Sequence, residues 1–158
     1  METTQTLNPL ASTLKHTFKL FLRDLEALPE EAYTKEFGPV VRTVADIVHE
    51  VNVVNDEIVK VIRGGYDGPM PNDGWLRAPE GLRTKAATIE AFKRSSEAAL
   101  ATVGGFTPEE FAEKVKNQEG EATREEECRF MNIHVWYHLG QLNYIQTLFG
   151  DDQWHWMS

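Results

Sequence analysis

The sequence feature that most constrains the fold is the segment from Arg124 to Gly150, which carries the longest uninterrupted helical pattern in the chain. Thr123 and Glu126 have the spacing of a capping box, in which a hydroxyl and a carboxylate satisfy the first free amides of a helix. Gly150 offers a left-handed stop at the other end. The segment therefore predicts one long helix along which the rest of the chain must pack.

Two histidines, His134 and His138, lie one helical turn apart in the middle of this segment. At about 100° per residue their side chains project about 40° from each other on one face. Met131 and Ile145 continue that face, so both imidazoles are expected to point toward the core. Such a pair is explained either by ligation of a divalent metal or by hydrogen-bonded core histidines, and metal ligation is the better explanation.

Three further segments show the apolar periodicity of amphipathic helices, and we find no segment that alternates as a strand would. They cover approximately residues 9–28, 43–63 and 84–103. A short helix is also predicted from Thr107 through Lys116, because a threonine cap is followed there by proline. Four long helices without strands predict an all-α four-helix bundle, which we expect to form a single domain over residues 1–158.

The connection between the second and third long helices, residues 64–83, is rich in Gly, Pro, Asn and Asp. A connection of this length allows a crossover, after which the two helices can run parallel. Trp75 is the residue expected to pin the connection to the bundle. The tail after Gly150 carries two tryptophans, and we expect it to fold back because it would otherwise expose an apolar patch.

The composition and charge disfavour several classes of partner. The formal net charge is −9, from 16 basic and 25 acidic side chains, which disfavours binding to nucleic acid or to an anionic membrane surface. No apolar run is long enough to span a membrane, and the first residues lack the pattern of a secretory signal. The single cysteine, Cys128, fits a reducing compartment. We therefore expect a cytoplasmic protein.

A third ligand for the histidine pair would have to come from a facing helix. Considered alone, His49 on the second helix is more simply explained as a core histidine that bonds to a carbonyl group. It is nevertheless the only other histidine within a long helix that has apolar neighbours. Three protein ligands would leave a coordination position open, as in catalytic rather than structural metal sites.

Other metal-site patterns do not match. The pair lacks the glutamate of the His-Glu-x-x-His protease motif. Met131 and Val135 stand where a four-helix di-iron site would need glutamates. Cys128 lies about 240° around the helix from His134, so we interpret it as an inert thiol. Candidates for orienting ligands or substrate are Asn52, Asp56 and Gln141.

The combination of His49, His134, His138 and the following Gly140-Gln141, with Tyr144, resembles the DinB-like (DinB/YfiT) superfamily. The resemblance implies an up-down-down-up bundle and a homodimer. It also implies a divalent metal ion, such as zinc, nickel or iron, held by His49, His134 and His138. Some members are transferases or isomerases that use a low-molecular-weight thiol, and others have no assigned reaction.

The function expected from these observations is that of a metal-dependent enzyme that activates a thiol or water, either a thiol transferase or a hydrolase. The alternative is a non-catalytic dimeric bundle that binds a metal or a small molecule. A third interpretation, a helical interaction protein with structural histidines, is the weakest of the three. The residues do not identify the metal, the thiol or any other small substrate.

Overall fold

The computed structural model describes residues 8–71 and 74–157. The helices in these ranges are α1 (Pro9–Ala27), α2 (Val44–Ile62), α3 (Lys85–Gly104), α4 (Pro108–Phe111) and α5 (Arg124–Leu148), and the strands are β1 (Lys114–Asn117) and β2 (Gly120–Thr123). The first seven residues, on which the expectation of no signal sequence rests, lie outside the described ranges, as do residues 72, 73 and 158.

The predicted helix starts are confirmed by their caps. Thr43 and Asp46 form a capping box at α2, and Thr123 and Glu126 form one at α5. In both boxes the threonine side chain accepts the amide of the third helical residue and the acid accepts the amide of the threonine. At the far end of α5, Gly150 has the left-handed φ of +79° that lets the chain leave the helix.

Hydrogen bonds between the long helices show which of them run parallel. Thr17 of α1 donates to Asn132 of α5 at 2.7 Å, and Asn143, further along α5, donates to Asp24, further along α1. Residue numbers rise together in this pair, so α1 and α5 run parallel.

The same reasoning applies to α2 and α3. Ser95 donates to Asp56 at 2.9 Å, and Arg63 donates to Thr102 at 2.8 Å. These helices are therefore parallel to each other, as the long connection predicts.

The two pairs run in opposite directions. Asn8, at the start of α1, donates to the carbonyl of Val103 at the end of α3, at 2.9 Å. Lys85, at the start of α3, donates to the carbonyl of Leu28, just after α1, at 2.7 Å. The predicted up-down-down-up bundle is thus confirmed by its own contacts.

Side chains from all four long helices make one hydrophobic cluster. Within this cluster the ring centroids of Phe21 and Phe92 lie 4.7 Å apart, and Phe18 meets Phe92 edge-on at 5.8 Å. Apolar burial of this kind supplies most of the driving force for folding. Among the described residues, none of the helices has the length and apolar character that crossing a membrane requires.

The tail folds back onto the bundle, as expected. Trp156 meets Trp136 of α5 edge-on at 5.6 Å, and its indole N–H lies 3.0 Å from both carboxylate oxygens of Asp24. Gln146 donates to the carbonyl of Gln153 at 2.8 Å. The tail thus covers the side of α5 that faces α1.

The prediction of a helix through Lys116 is wrong. After α4 ends at Phe111, Lys114–Asn117 pairs antiparallel with Gly120–Thr123, with Asn117 opposite Gly120. Gly120 has a φ of +119°, a value that side-chain-bearing residues rarely adopt, and this makes a tight hairpin turn available. Val115 of β1 is buried, and strand pairing satisfies the backbone groups of a segment that is too short to form a stable helix.

The long connection is fastened at two points. Asp46, fully buried at the start of α2, accepts the amide of Ala78 at 2.8 Å and a guanidinium N–H of Arg77 at 2.9 Å. The guanidinium carbon of Arg42 lies 4.3 Å from the centroid of the Trp75 ring. This contact confirms that Trp75 attaches the connection to the bundle. The connection therefore closes over the start of α2.

We expect Asp46→Asn to lower the free energy of unfolding near pH 7 by about 1.5–3 kcal/mol, the worth of hydrogen bonds to a charged acceptor. Burial raises the pKa of Asp46, but hydrogen bonds from Ala78, Arg77 and Thr43 outweigh it and lower the pKa below 3.8. The stabilisation is therefore present above that pH and is lost as the pH falls through the lowered pKa.

Urea denaturation of both proteins near pH 7 and near pH 3 measures this effect. The difference between wild type and variant should narrow at the lower pH. Asp67→Asn is the matched control, because Asp67 is an exposed partner of Lys60 and should contribute little. A difference that stays constant with pH would show that the Asp46 charge is not what fastens the connection.

Candidate metal centre

Three side chains from two helices converge inside the bundle. Glu50 of α2 and His134 and His138 of α5 have ligand atoms that all lie within 4.8 Å of one another. The two imidazole Nε2 atoms are 3.1 Å apart, and Glu50 Oε1 is 3.3 Å from that of His138 and 3.7 Å from that of His134. The side chain of His138 is fully buried, and those of His134 and Glu50 are 13% and 17% exposed.

The geometry follows from the helix positions. His134 and His138 share a face because they lie one turn apart on α5. Since α2 runs antiparallel beside α5, the face of α2 that carries Glu50 meets them. Val54 and Glu57, one and two turns beyond Glu50, lie on nearly the same face of α2.

The structure places His49 differently from the two α5 histidines. His49 immediately precedes Glu50, so it projects about 100° away around α2. It is half-buried, and it is not part of the cluster. The structure thus brings together two of the three predicted ligands and sets Glu50 beside them, while a ligand role for His49 stays a prediction.

Both imidazoles of the cluster are held neutral. Burial lowers the pKa of His134 to about 4, helped by the neighbouring His138 and opposed by the charge of Glu50. Burial also lowers the pKa of His138, against the contacts with Gln141 and Glu50. At neutral pH each ring therefore keeps an unprotonated nitrogen, which is the form that binds metal ions.

Gln141 fixes the orientation of His138. Its Oε1 lies 2.8 Å from His138 Nδ1 and accepts a hydrogen bond from Arg42 Nη2 at 3.3 Å. Arginine has no acceptor, so the amide atom that faces it must be the oxygen, and His138 Nδ1 must then carry the proton. The lone pair of His138 Nε2 consequently faces Glu50 and His134. Gln141 makes the contact that an orienting residue would make.

The other residues predicted to orient ligands lie elsewhere. Asp56 accepts a hydrogen bond from Ser95 of α3, on a different side of α2 from Glu50. Asn52 is buried, and its side-chain oxygen has no hydrogen-bond partner among the described residues. Cys128 is buried, and burial raises its pKa to about 12, so the expectation of an inert thiol is confirmed.

A cavity of about 510 Å³ opens beside the cluster, with His134 in its wall. Its walls come from α2, the long connection, the β1–β2 hairpin and the first half of α5. Apolar lining residues include Val54, Ile58, Val61, Tyr66, Met70 and Phe130, and the acidic ones are Glu57, Glu119, Glu121, Glu126 and Glu127. Among the described residues no Lys or Arg lines this cavity.

His134 differs from His138 in its second nitrogen. His134 Nδ1 is buried and has no hydrogen-bond partner among the described residues. Metal-ligating histidines usually donate this second N–H to a protein group or to water. His134 thus lacks, among the described residues, the partner that Gln141 supplies to His138.

A comparison with protein-family models matches residues 13–142 to the DinB superfamily, and the chain therefore belongs to that superfamily. The crystal structure of a DinB-like protein from Bacillus cereus is similar, with a TM-score of 0.71 at 12% sequence identity, over 89% of this chain and 91% of that one. The crystal structure of a conserved protein from Enterococcus faecalis gives a TM-score of 0.68 at 16% identity, over 96% and 99%. No curated protein matches the chain.

The donor set fits a divalent transition metal. Two neutral imidazoles and one carboxylate, with room for further ligands, occur in zinc hydrolases and in non-haem iron sites. Only Glu50 of this set was missed by the sequence prediction. Glu50 shares its face of α2 with Val54 and Val61 whereas His49 does not, but the sequence pattern does not show that this face meets α5.

We expect His134 of the metal-free protein to titrate near pH 4 rather than near 6.5. The lowered pKa means that the folded protein resists protonation here, so stability is lost as the pH falls from 6.5 toward 4. A pH titration of the imidazole resonances by NMR measures the midpoint. Glu50→Gln should lower it further, because the Glu50 charge favours the protonated ring. A midpoint near 6.5 would contradict the buried, neutral pair.

Proposed function

We propose that this protein binds one divalent metal ion, zinc, nickel or iron, through Glu50, His134 and His138, and that it catalyses a hydrolytic reaction on an uncharged or cationic substrate. The observation that carries the proposal is the convergence of three donor side chains at the wall of a cavity of about 510 Å³. Three protein ligands leave a position open, which is the arrangement of catalytic metal sites.

The residues of the chain prepare this chemistry. A bound metal ion would act as a Lewis acid that lowers the pKa of a water molecule or a thiol. Glu50 and the two neutral imidazoles would hold it, and the protonated Nδ1 of His138 keeps the other nitrogen free for that task. Apolar side chains such as Phe130 and Ile58 line the cavity and would contact the body of a substrate.

The lining of the cavity favours water over a thiol as the activated group. Five glutamates and no Lys or Arg line it among the described residues, so an anionic ligand would meet like charge. Low-molecular-weight thiols such as glutathione carry carboxylates and would be disfavoured. A thiol transferase remains the competing enzymatic proposal, and the buried Cys128 cannot take the place of an external thiol.

The homodimer and the cytoplasmic location remain proposals. Support for the homodimer comes from exposed apolar side chains on one outer strip of α5, namely Phe130, Ile133, Tyr137 and Tyr144. Such a strip is typical of interaction surfaces rather than of a free monomer surface. The acidic net charge of −9 continues to argue against nucleic acid as the partner.

Metal binding tests the ligand set directly. We expect about one zinc ion per wild-type chain by titration calorimetry and elemental mass spectrometry. Glu50→Ala and His138→Ala should each weaken binding by more than about 100-fold, beyond the 10–100-fold typical of outer-shell residues.

His49→Ala is the matched control, because it changes the adjacent position on α2. It should bind zinc like the wild type, with the helical circular dichroism spectrum unchanged. Loss of binding in His49→Ala with full binding in Glu50→Ala would instead establish His49 as the third ligand.

Turnover separates the enzyme from the non-catalytic alternative. We expect the zinc-loaded protein to hydrolyse members of an ester and amide panel, with uncharged and ammonium-bearing substrates preferred over matched carboxylates. His138→Ala should lose this activity. Stoichiometric metal binding without turnover, or turnover only when glutathione is added, would favour the binding bundle or the thiol transferase respectively.

A further inference from the structure

We propose that Arg42 is the positioning residue of this metal centre, because its one guanidinium holds Glu50 in place and, through Gln141, fixes the orientation of His138. The inference rests on the proposed metal site and goes beyond it. Arg42 itself touches neither imidazole in the described contacts, so it acts through the two residues that it binds.

The first contact gives the two carboxylate oxygens of Glu50 different partners. Arg42 Nη1 donates to Oε2 and forms an ion pair with it, while Oε1 faces the two imidazole nitrogens at 3.3 and 3.7 Å. An oxygen bound by arginine is not free to rotate toward the imidazoles. The carboxylate is thereby set to offer one oxygen rather than two.

The second contact selects the tautomer of His138. Because the guanidinium can only donate, it forces the Gln141 oxygen, not the NH₂ group, to lie between Arg42 and His138. Without Arg42 the amide can turn over and donate to His138 Nδ1, which would move the ring proton to the nitrogen that faces Glu50. One arginine therefore keeps two of the three donor atoms available.

The guanidinium is itself fixed in position. The side chain of Arg42 is 7% exposed, and the ring of Trp75 covers it at 4.3 Å. A stacked arginine with two acceptors loses little further freedom when it holds its partners. The long connection thus contributes to the centre without supplying a ligand.

A purely electrostatic role would have the opposite effect on metal affinity. A buried positive charge beside a divalent ion repels it, so an Arg42 that acted only as a charge would weaken binding. A positioning role strengthens binding by keeping Glu50 and His138 in the right arrangement. The sign of the change in affinity on removal of Arg42 therefore decides between the two roles.

The experiment compares cobalt(II) binding to the full-length wild type, Arg42→Met and Arg42→Lys. We expect Arg42→Met to bind 10–100-fold more weakly, the range for residues that orient metal ligands, and to change the visible cobalt spectrum. Arg42→Lys keeps the charge but not the fork, so it should restore only part of the affinity. Arg94→Met, in an exposed pair with Glu90, is the control and should match wild type.

The tautomer of His138 provides a readout that needs no metal. In the metal-free wild type, ¹⁵N chemical shifts should show the proton on Nδ1, and Arg42→Met should shift it toward Nε2. Gln141→Leu is a second variant, which removes the contact to His138 but leaves the ion pair of Arg42 with Glu50. It should shift the tautomer in the same way. It therefore keeps the test decisive if Arg42→Met does not fold.

The outcomes separate the two proposals. Unchanged or tighter cobalt binding in Arg42→Met, or an unchanged His138 tautomer in both variants, would overturn the positioning role while leaving the metal centre intact. A wild type that binds no cobalt would instead overturn the metal centre, and with it the positioning role of Arg42. Weaker binding together with a shifted tautomer supports both.

Discussion

The antiparallel contact between α2 and α5 is the constraint on which the rest of the structure depends. Arg124, at the start of α5, donates to the carbonyl of Ile62 at the end of α2, at 2.7 Å. At the other end Arg42 joins Gln141. With both ends tied, the two helices cannot slide by a turn, and Glu50 is held opposite the histidine pair. A register shift would separate the donors without changing the helix content.

The candidate centre collects polar groups in a place where the bundle would otherwise be apolar. Burial makes charged groups costly unless they are paired, and it explains why both imidazoles are neutral and why Glu50 is joined to a guanidinium. Asp46 solves the same problem at the start of α2 by accepting hydrogen bonds from the long connection. Asp46 and the long connection therefore stabilise each other at the start of α2.

The sequence predicts the bundle and two of the three side chains that meet in the candidate centre. Capping residues, apolar periodicity and the one-turn spacing of His134 and His138 are local signals, and the structure agrees with them. The choice between His49 and Glu50 depends on the phase of α2, whose apolar arc is too broad to show which side faces α5. The sequence does not predict the hairpin because each strand has four residues, too few to show alternation. The packing of β1 against α2 is in addition a long-range contact that no local pattern indicates.

The hairpin and the long connection form one side of the cavity, and α2 and α5, which carry the donor side chains, form the other. Of the five glutamates in its lining, Glu119 and Glu121 belong to the hairpin, and the other three belong to α2 and α5. Surface loops tolerate insertions and substitutions that packed helices do not. The side of the cavity built from loops can therefore change in sequence while the helices keep their packing. A bundle built in this way can change the lining of its cavity without moving the three side chains that meet at its wall.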